Sequence, residues 1–262
     1  MTLTLVQYLL GIGSGALVGF VLGLVGGGGS ILAVPLMVYL VGVKSPHMAI
    51  GTSAFAVAAN AATGLLHHAR AGHVKWRCAA VFAVAGVAGA ALGSTMGKAF
   101  DGQKLLFLFA LLMIVVGILM LRRKGRGGNS DVTLDAGNAA NLGALGLSAG
   151  VFSGFFGIGG GFLIVPGLIA ATDMPMIYAV GSSLVAVTAF GLTTAINYSL
   201  SGLVDWALAF VFIGGGVAGS LAGTQLARRL SKERGRLATV FAVLIFIVAA
   251  YMLWKSAAAA WS

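Results

Sequence analysis

The chain has 262 residues, of which 59% are hydrophobic and 8% charged, and its mean hydropathy is +1.03. A soluble domain carries about 25% charged residues, so this composition excludes one and indicates a polytopic membrane protein. The formal net charge of +10 reads as the loop excess that orients membrane chains rather than as a nucleic-acid surface. Cys78 is the single cysteine, which excludes an intramolecular disulfide and any paired-cysteine metal site. Residues 1–8 hold no basic side chain, and no cleavable signal is expected.

Apolar runs between polar punctuation fall at 3–25, 31–43, 47–69, 78–97 and 105–121 in the first half. A basic, glycine-rich connector at 122–140 follows, with Arg122, Arg123, Lys124 and Arg126 ahead of Asp131 and Asp135. The second half repeats the layout at 141–156, 162–171, 176–200, 206–227 and 237–254. This divides the chain into a transmembrane repeat at 1–121, a cytoplasmic linker at 122–140 and a second transmembrane repeat at 141–262.

Residues 26–35 read GGGGSILAVP and residues 157–166 read GIGGGFLIVP, so a glycine break followed by proline occurs twice. An offset of 130 also pairs Gly51-Thr52-Ser53 with Gly181-Ser182-Ser183, Trp76 with Trp206, and Gly86, Gly89 and Gly93 with Gly216, Gly219 and Gly223. Matched tryptophan, proline and Gly-[Thr/Ser]-Ser at nearly constant spacing indicate an internal repeat.

The 16 basic and 6 acidic residues lie at or beyond the ends of the apolar runs. Arg70, Lys75 and Arg77 follow the third run and the Arg122 cluster follows the fifth, which makes both cytoplasmic by the positive-inside rule. In the second half the loop after the eighth run holds only Asp205, whereas Arg228, Arg229, Lys232, Arg234 and Arg236 follow the ninth. That swap predicts two inverted repeats, an odd number of crossings in each, and both termini outside the cytoplasm. Run 31–43 spans roughly 20 Å as helix, short of a hydrocarbon core of roughly 30 Å. A broken or re-entrant pair at each glycine motif is therefore expected. The fold class is all-α integral membrane protein with about five helical segments per inverted repeat.

Irregular backbone survives at membrane depth only where protein or a cavity satisfies it. Helix starts after glycine leave N–H groups free, with the positive end of the dipole at the junction. Gly27, Gly28, Gly29 and Ser30 would offer donors from one half, and Gly159, Gly160 and Gly161 from the other, around a centre near the midplane. The alternative is that these glycines only allow close helix packing. Thr52, Ser53, Ser182 and Ser183 could add hydroxyls, unless each bonds its own helix. Asn60, Thr63, Thr193, Thr194 and Asn197 place polar groups inside apolar helices, so they should face the protein interior, and an amide is the hardest of them to satisfy locally. His67, His68 and His73 have no carboxylate nearby and read as an interfacial basic loop, not a metal site. No nucleophile triad or paired carboxylates appear, so neither an enzyme nor a cofactor is expected.

The duplicated Gly-x-Gly-Gly-[Gly/Ser]-x-Leu-x-Val-Pro, followed by Gly-[Thr/Ser]-Ser, resembles the TauE/SafE sulfite exporter family across nearly the whole chain except the linker. The resemblance implies a permease of the cell inner membrane for sulfur-containing anions: sulfite, thiosulfate or organosulfonates. A secondary transporter working by alternating access is the expectation; an anion channel or a non-transporting scaffold is the alternative. Expected partners are the anion and membrane lipid, with a homodimer left open and no nucleic acid.

Overall fold

A computed structural model describes residues 4–122, 132–157, 161–230, 243 and 245–255. Among them there is no strand. The helices are α1 (Leu5–Val25), α2 (Gly29–Leu40), α3 (Pro46–Arg70), α4 (Trp76–Ala99), α5 (Gly102–Arg122), α6 (Ala136–Phe156), α7 (Gly161–Thr172), α8 (Met176–Ser199), α9 (Trp206–Leu230) and α10 (Ile245–Lys255). Six of them, α1, α3, α4, α6, α8 and α9, are long and apolar enough to cross a membrane.

Local chemistry sets the helix ends. Ser45 caps α3 by accepting from Met48 N–H at 3.4 Å, with Pro46 at the first helical position. Such a proline has no intrahelical N–H bond to lose and a φ already suited to helix. Asp135 and Asn138 form a reciprocal capping box at 2.7 and 3.0 Å, which starts α6 ahead of the apolar run at 141. Short turns at Gly72 (φ +72°) and Gly202 (φ +68°) join α3 to α4 and α8 to α9. Glycine takes these left-handed values without a Cβ clash.

Two glycine seams hold the bundle. A Cβ on Gly15, Gly19 or Gly23 of α1 would overlap the backbone of α9 at Phe212, Gly216 or Ser220, and one on Gly219 or Gly223 would overlap Ala16 or Phe20. The same pattern joins α6 to α4: Gly146, Gly150 and Gly154 meet Phe82, Gly86 and Ala90, while Gly89, Gly93 and Gly97 meet Leu147, Val151 and Phe155. The expectation that Gly86, Gly89 and Gly93 and their copies serve tight crossings is what the seams contain. Residue numbers rise together along both members of each seam, so each pair is parallel.

These registers extend to the centre. Gly51 abuts Leu203, Phe55 meets Trp206 and Phe210 edge-on, and Asn60 covers Gly216, so α3 runs parallel to α9. Phe190 covers Gly86 and Asn197 bonds Ser94 and Thr95, so α8 runs parallel to α4. Gly191 meets Ala54 and Ala58 whereas Gly64 meets Leu184, so α3 and α8 are antiparallel. Helices α1, α3 and α9 therefore run one way, and α4, α6 and α8 the other.

Because α1 and α3 are parallel, the segment between them must carry the chain back. It does: Gln7 Nε2 near the start of α1 donates to Val41 O just past α2, at 3.3 Å. The first motif thus lies where the chain turns back after α1. Pro35 ends an α-helical turn (Ala33–Pro35) in that segment and is followed by a π-helical turn (Leu36–Leu40) that delivers Val41 N–H to Leu36 O at 2.9 Å. A proline lacks the N–H for regular pairing and crowds the turn before it. Pro166 is held within α7 itself.

Two matched hydrogen bonds fasten the halves. Thr52 Oγ1 accepts from Asp205 N–H and Ser182 Oγ from Lys75 N–H, both at 2.9 Å. Each hydroxyl tethers the residue entering α9 or α4.

Gly219→Ala should destabilise the protein by about 1–3 kcal/mol through overpacking against Ala16. Gly214→Ala, where nothing lies within 4 Å, should be neutral or stabilising by up to about 1 kcal/mol. Thermal unfolding in detergent separates the two. By the same measurement Thr52→Val and Ser182→Ala should each cost about 1–2 kcal/mol and add without coupling, since the bonds lie at opposite ends of the bundle.

Candidate functional site: two unlike glycine breaks

The first break turns the chain back on itself. Residues Gly26–Leu32 follow α1 as a 3₁₀ stretch, and the chain reverses within it, because Gly29 already lies against Val21 and Leu22 of α1 and Val41 returns to Gln7. Gly27, Gly28, Gly29 and Ser30 all lie in this stretch. Gly29 is pressed on the α1 backbone, where a Cβ would overlap Val21 and Leu22. Ser30 is fully buried. The stretch packs on α1, α7 and α8.

The second break interrupts the helix. Helix α6 stops at Gly157, which is left-handed (φ +67°) and whose N–H reaches back to Gly154 O at 3.3 Å. Helix α7 is described from Gly161, which is buried; Gly159 and Gly160 lie outside the described residues.

The breaks sit at different depths. Gly29 touches the last turn or so of α1, whereas a Cβ on Gly157 would overlap the side chain of Ile50, near the start of α3. With α1 and α3 parallel, the two lie towards opposite ends of the helix set rather than at one level. Asn60, in the middle of α3, is nearly level with Gly29: it lies on Gly216, which opposes Gly19, and Gly29 meets α1 two or three residues further along.

The predicted polar residues divide by what they bond. Thr52 and Ser182 are the accepting tethers described above, both fully buried. Ser53, Ser183 and Thr193 donate to their own helices, at Ile50, Val180 and Ala189 carbonyls, over 3.0, 2.8 and 2.8 Å. Asn197 belongs to a clamp between α4 and α8: its Oδ1 accepts from Lys98 Nζ at 2.7 Å, and its Nδ2 donates to Ser94 Oγ at 2.6 Å and Thr95 Oγ1 at 3.0 Å. Lys98 also donates to Asn197 O at 3.1 Å and Ser201 Oγ at 2.8 Å, so its ammonium is fully used near a helix end.

Asn60 differs. It is 1% exposed, its amide lies on Gly216, and neither Oδ1 nor Nδ2 has a hydrogen-bond partner. An amide buried without partners costs on the order of 1–3 kcal/mol or more. Its repeat equivalent is Phe190, which covers Gly86 and stacks on Phe82 at 6.3 Å between centroids. One half thus places an amide where the other places a ring.

The hydroxyls of Ser14, Ser153 and Thr194 are also buried and unpartnered. Nothing in the sequence pattern singles out Ser14 or Ser153, whereas Thr194 shares with Thr193 the expectation of facing the protein interior. The two threonines lie about 100° apart on α8, Thr194 fully buried and Thr193 only half-buried. No group of three or more potential metal ligands occurs among the described residues.

Two relatives match nearly the whole chain. A probable membrane transporter protein of Xylella fastidiosa (strain 9a5c) is 52% identical over 255 residues, covering 97% of this chain and 98% of that protein. The probable membrane transporter protein YunE of Bacillus subtilis (strain 168) is 25% identical over 262 residues, covering 92% and 95%. No solved structure is a significant match. The model of the sulfite exporter TauE/SafE family matches residues 11–252. Broken paired helices, an apolar six-helix frame and this match together make the chain a multi-pass membrane protein of the transporter type, a member of the TauE/SafE family.

Proposed function

We propose that the chain is a secondary transporter that moves small sulfur-containing anions, sulfite, thiosulfate or organosulfonates, by alternating access across the cell inner membrane. The two halves, 1–121 and 141–262, act as inverted repeats joined by a cytoplasmic linker, with both termini on the other side. Reciprocal contacts support the repeat: α1 on α9 answers α6 on α4, Thr52 with Asp205 answers Ser182 with Lys75, and α3 crosses α8 antiparallel. Charge supports the orientation. The end where α3 finishes carries Arg70, Lys75 and Arg77, whereas at the other Lys44, Lys98 and Lys104 are offset by Asp101 and Asp205, so the first is cytoplasmic by the positive-inside rule.

The observation that carries the reading is Asn60, a buried amide without a partner in the middle of α3, seated on Gly216. On this reading the anion's path runs between the glycine breaks. Each break serves one face, and Asn60 offers N–H donors as the anion passes. Neutral donors hold an anion without the deep well of a fixed cation, so release stays fast enough for turnover.

Uptake of radiolabelled sulfite, thiosulfate, taurine and sulfoacetate into proteoliposomes tests this. A carrier should saturate and accumulate at least one of them against its gradient when the coupling gradient is imposed. Flux that neither saturates nor accumulates would mean a channel, and none with any anion would remove the substrate assignment. Asn60→Leu should raise the half-saturating concentration at least about tenfold, the scale of a lost hydrogen bond to a charge. Tags at the two termini should both be accessible from the non-cytoplasmic side.

A further inference from the structure

The halves of the chain are tied to each other at both ends of the central pair, and the two ties use the same backbone. Gly181 abuts the carbonyl of His73 as Gly51 abuts that of Leu203. Ser182 accepts from Lys75 N–H as Thr52 accepts from Asp205 N–H, each at 2.9 Å. An offset of 130 relates every member of one tie to its counterpart in the other. Alternating access has the halves part at one end while the other stays shut, so each tie has to open in its turn.

The side chains laid over the ties differ. At the end of α8, Tyr198 is fully buried and its ring meets that of His47 at 6.4 Å between centroids. At the end of α3 the counterpart of Tyr198 is His68, and that of Leu203 is His73. His68 is 8% exposed, and its ring centroid lies 5.7 Å from that of His73. His73 in turn meets the Tyr178 ring edge-on at 6.3 Å, and Lys75 sets its ammonium over the same ring, 4.8 Å from the centroid. Two neighbouring imidazoles thus cover one tie, where a phenol and a leucine cover the other.

Imidazole is the side chain that changes charge between about pH 5 and about pH 8. While neutral, the two rings pack against each other. Protonated together, they set like charges side by side, with Lys75 at the tie itself, Arg70 ending α3 and Arg77 opening α4. Helix α9, parallel to α3, brings Arg228 and Arg229 towards the same end. The carboxylates there are Asp173, ahead of α8, and Asp135, ahead of α6; both are exposed, and Asp135 already accepts from Asn138 N–H. The other titratable neighbours are Tyr178 on α8, His67, whose Nδ1 lies 3.0 Å from Thr63 O, and the buried Cys78. Nothing in this set offsets a second positive charge at the pair.

We propose that residues 68–75 form a proton-sensitive latch on the end where α3 finishes. With the His68 and His73 rings neutral, the latch holds the entrance of α4 to α8. With both protonated, it releases Lys75 N–H from Ser182 and lets that end open. The matched tie at the other end has no imidazole pair and stays shut. What the opening serves rests on the transport reading above: acid on the cytoplasmic side favours the state open to that side.

Lys75 N–H is itself the reporter, because its exchange with deuterated water requires the bond to Ser182 to open. Exchange is followed by mass spectrometry on the full-length protein in lipid nanodiscs, without anion and corrected for the intrinsic effect of pH. Peptides spanning 70–79 should lose protection at least about tenfold between about pH 7.5 and about pH 5.5. Peptides spanning 201–209, which contain the Asp205 N–H bonded to Thr52, should change by less than about threefold. His73→Phe, which keeps a ring against Tyr178, and His68→Gln should each retain protection at the higher pH and abolish its loss at the lower. His67→Gln and His47→Gln should keep the wild-type response. Protection that ignores pH in wild type, an equal loss at both ends, or a full response surviving in His73→Phe or His68→Gln would overturn the latch. Since no anion is present, exchange decides the latch independently of the transport reading.

Discussion

Close backbone approach along two glycine seams is the constraint on which the rest of the structure depends. Lipid tails are as apolar as leucine, so helices in a membrane gain little by hiding apolar surface from one another. Association has to come from packing, and packing is densest where two backbones touch. Glycines four residues apart on α1 and α6 recur on one face, and α9 and α4 offer glycines to meet them. Each seam therefore admits essentially one register: a shift by a single residue would drive side chains into backbone.

Once the seams are set, the central pair has little freedom. Helix α3 is read against α9 through Asn60 on Gly216, and α8 against α4 through Phe190 on Gly86. The same glycine thus does two tasks, meeting a helix on one side and seating a large side chain on the other. Thr52 and Ser182 then tie the entrances of α9 and α4 to the opposite half. Their hydroxyls act as acceptors, so these bonds come at no cost to their own helices. The returning segments α2 and α7 fill what remains, and the irregular backbone they need is enclosed by the six long helices, where unpaired groups can find protein partners.

Much of this is legible in the sequence, because it rests on glycine and proline, whose roles depend on backbone geometry alone. The repeat offset, the paired breaks and the tight crossings at Gly86, Gly89 and Gly93 all follow from the spacing of those two residue types. The break itself is less legible. Residues 26–30 and 157–161 are nearly the same text, yet a 3₁₀ stretch opens at Gly26 whereas α6 ends at its counterpart, a left-handed Gly157. Asn197 is similarly opaque, since Lys98 has the look of a loop charge until the register of α4 and α8 brings its ammonium onto the amide. Hydroxyl direction is a rotamer property set by packing, so the pattern in the chain does not fix it.

The inequality of the two breaks bears on how a repeat can work as a transporter. A strictly twofold molecule would bind its anion equally well from either face, and the two access states would be equal in energy. Substitutions that leave the seams alone but change single residues at matched positions, Asn60 against Phe190, Ser153 against Leu22, Thr194 against Gly64, remove that degeneracy without disturbing the frame. Differential affinity between two states is what lets a ligand shift their populations, and unlike residues at matched positions of an otherwise twofold frame are a way to supply that difference.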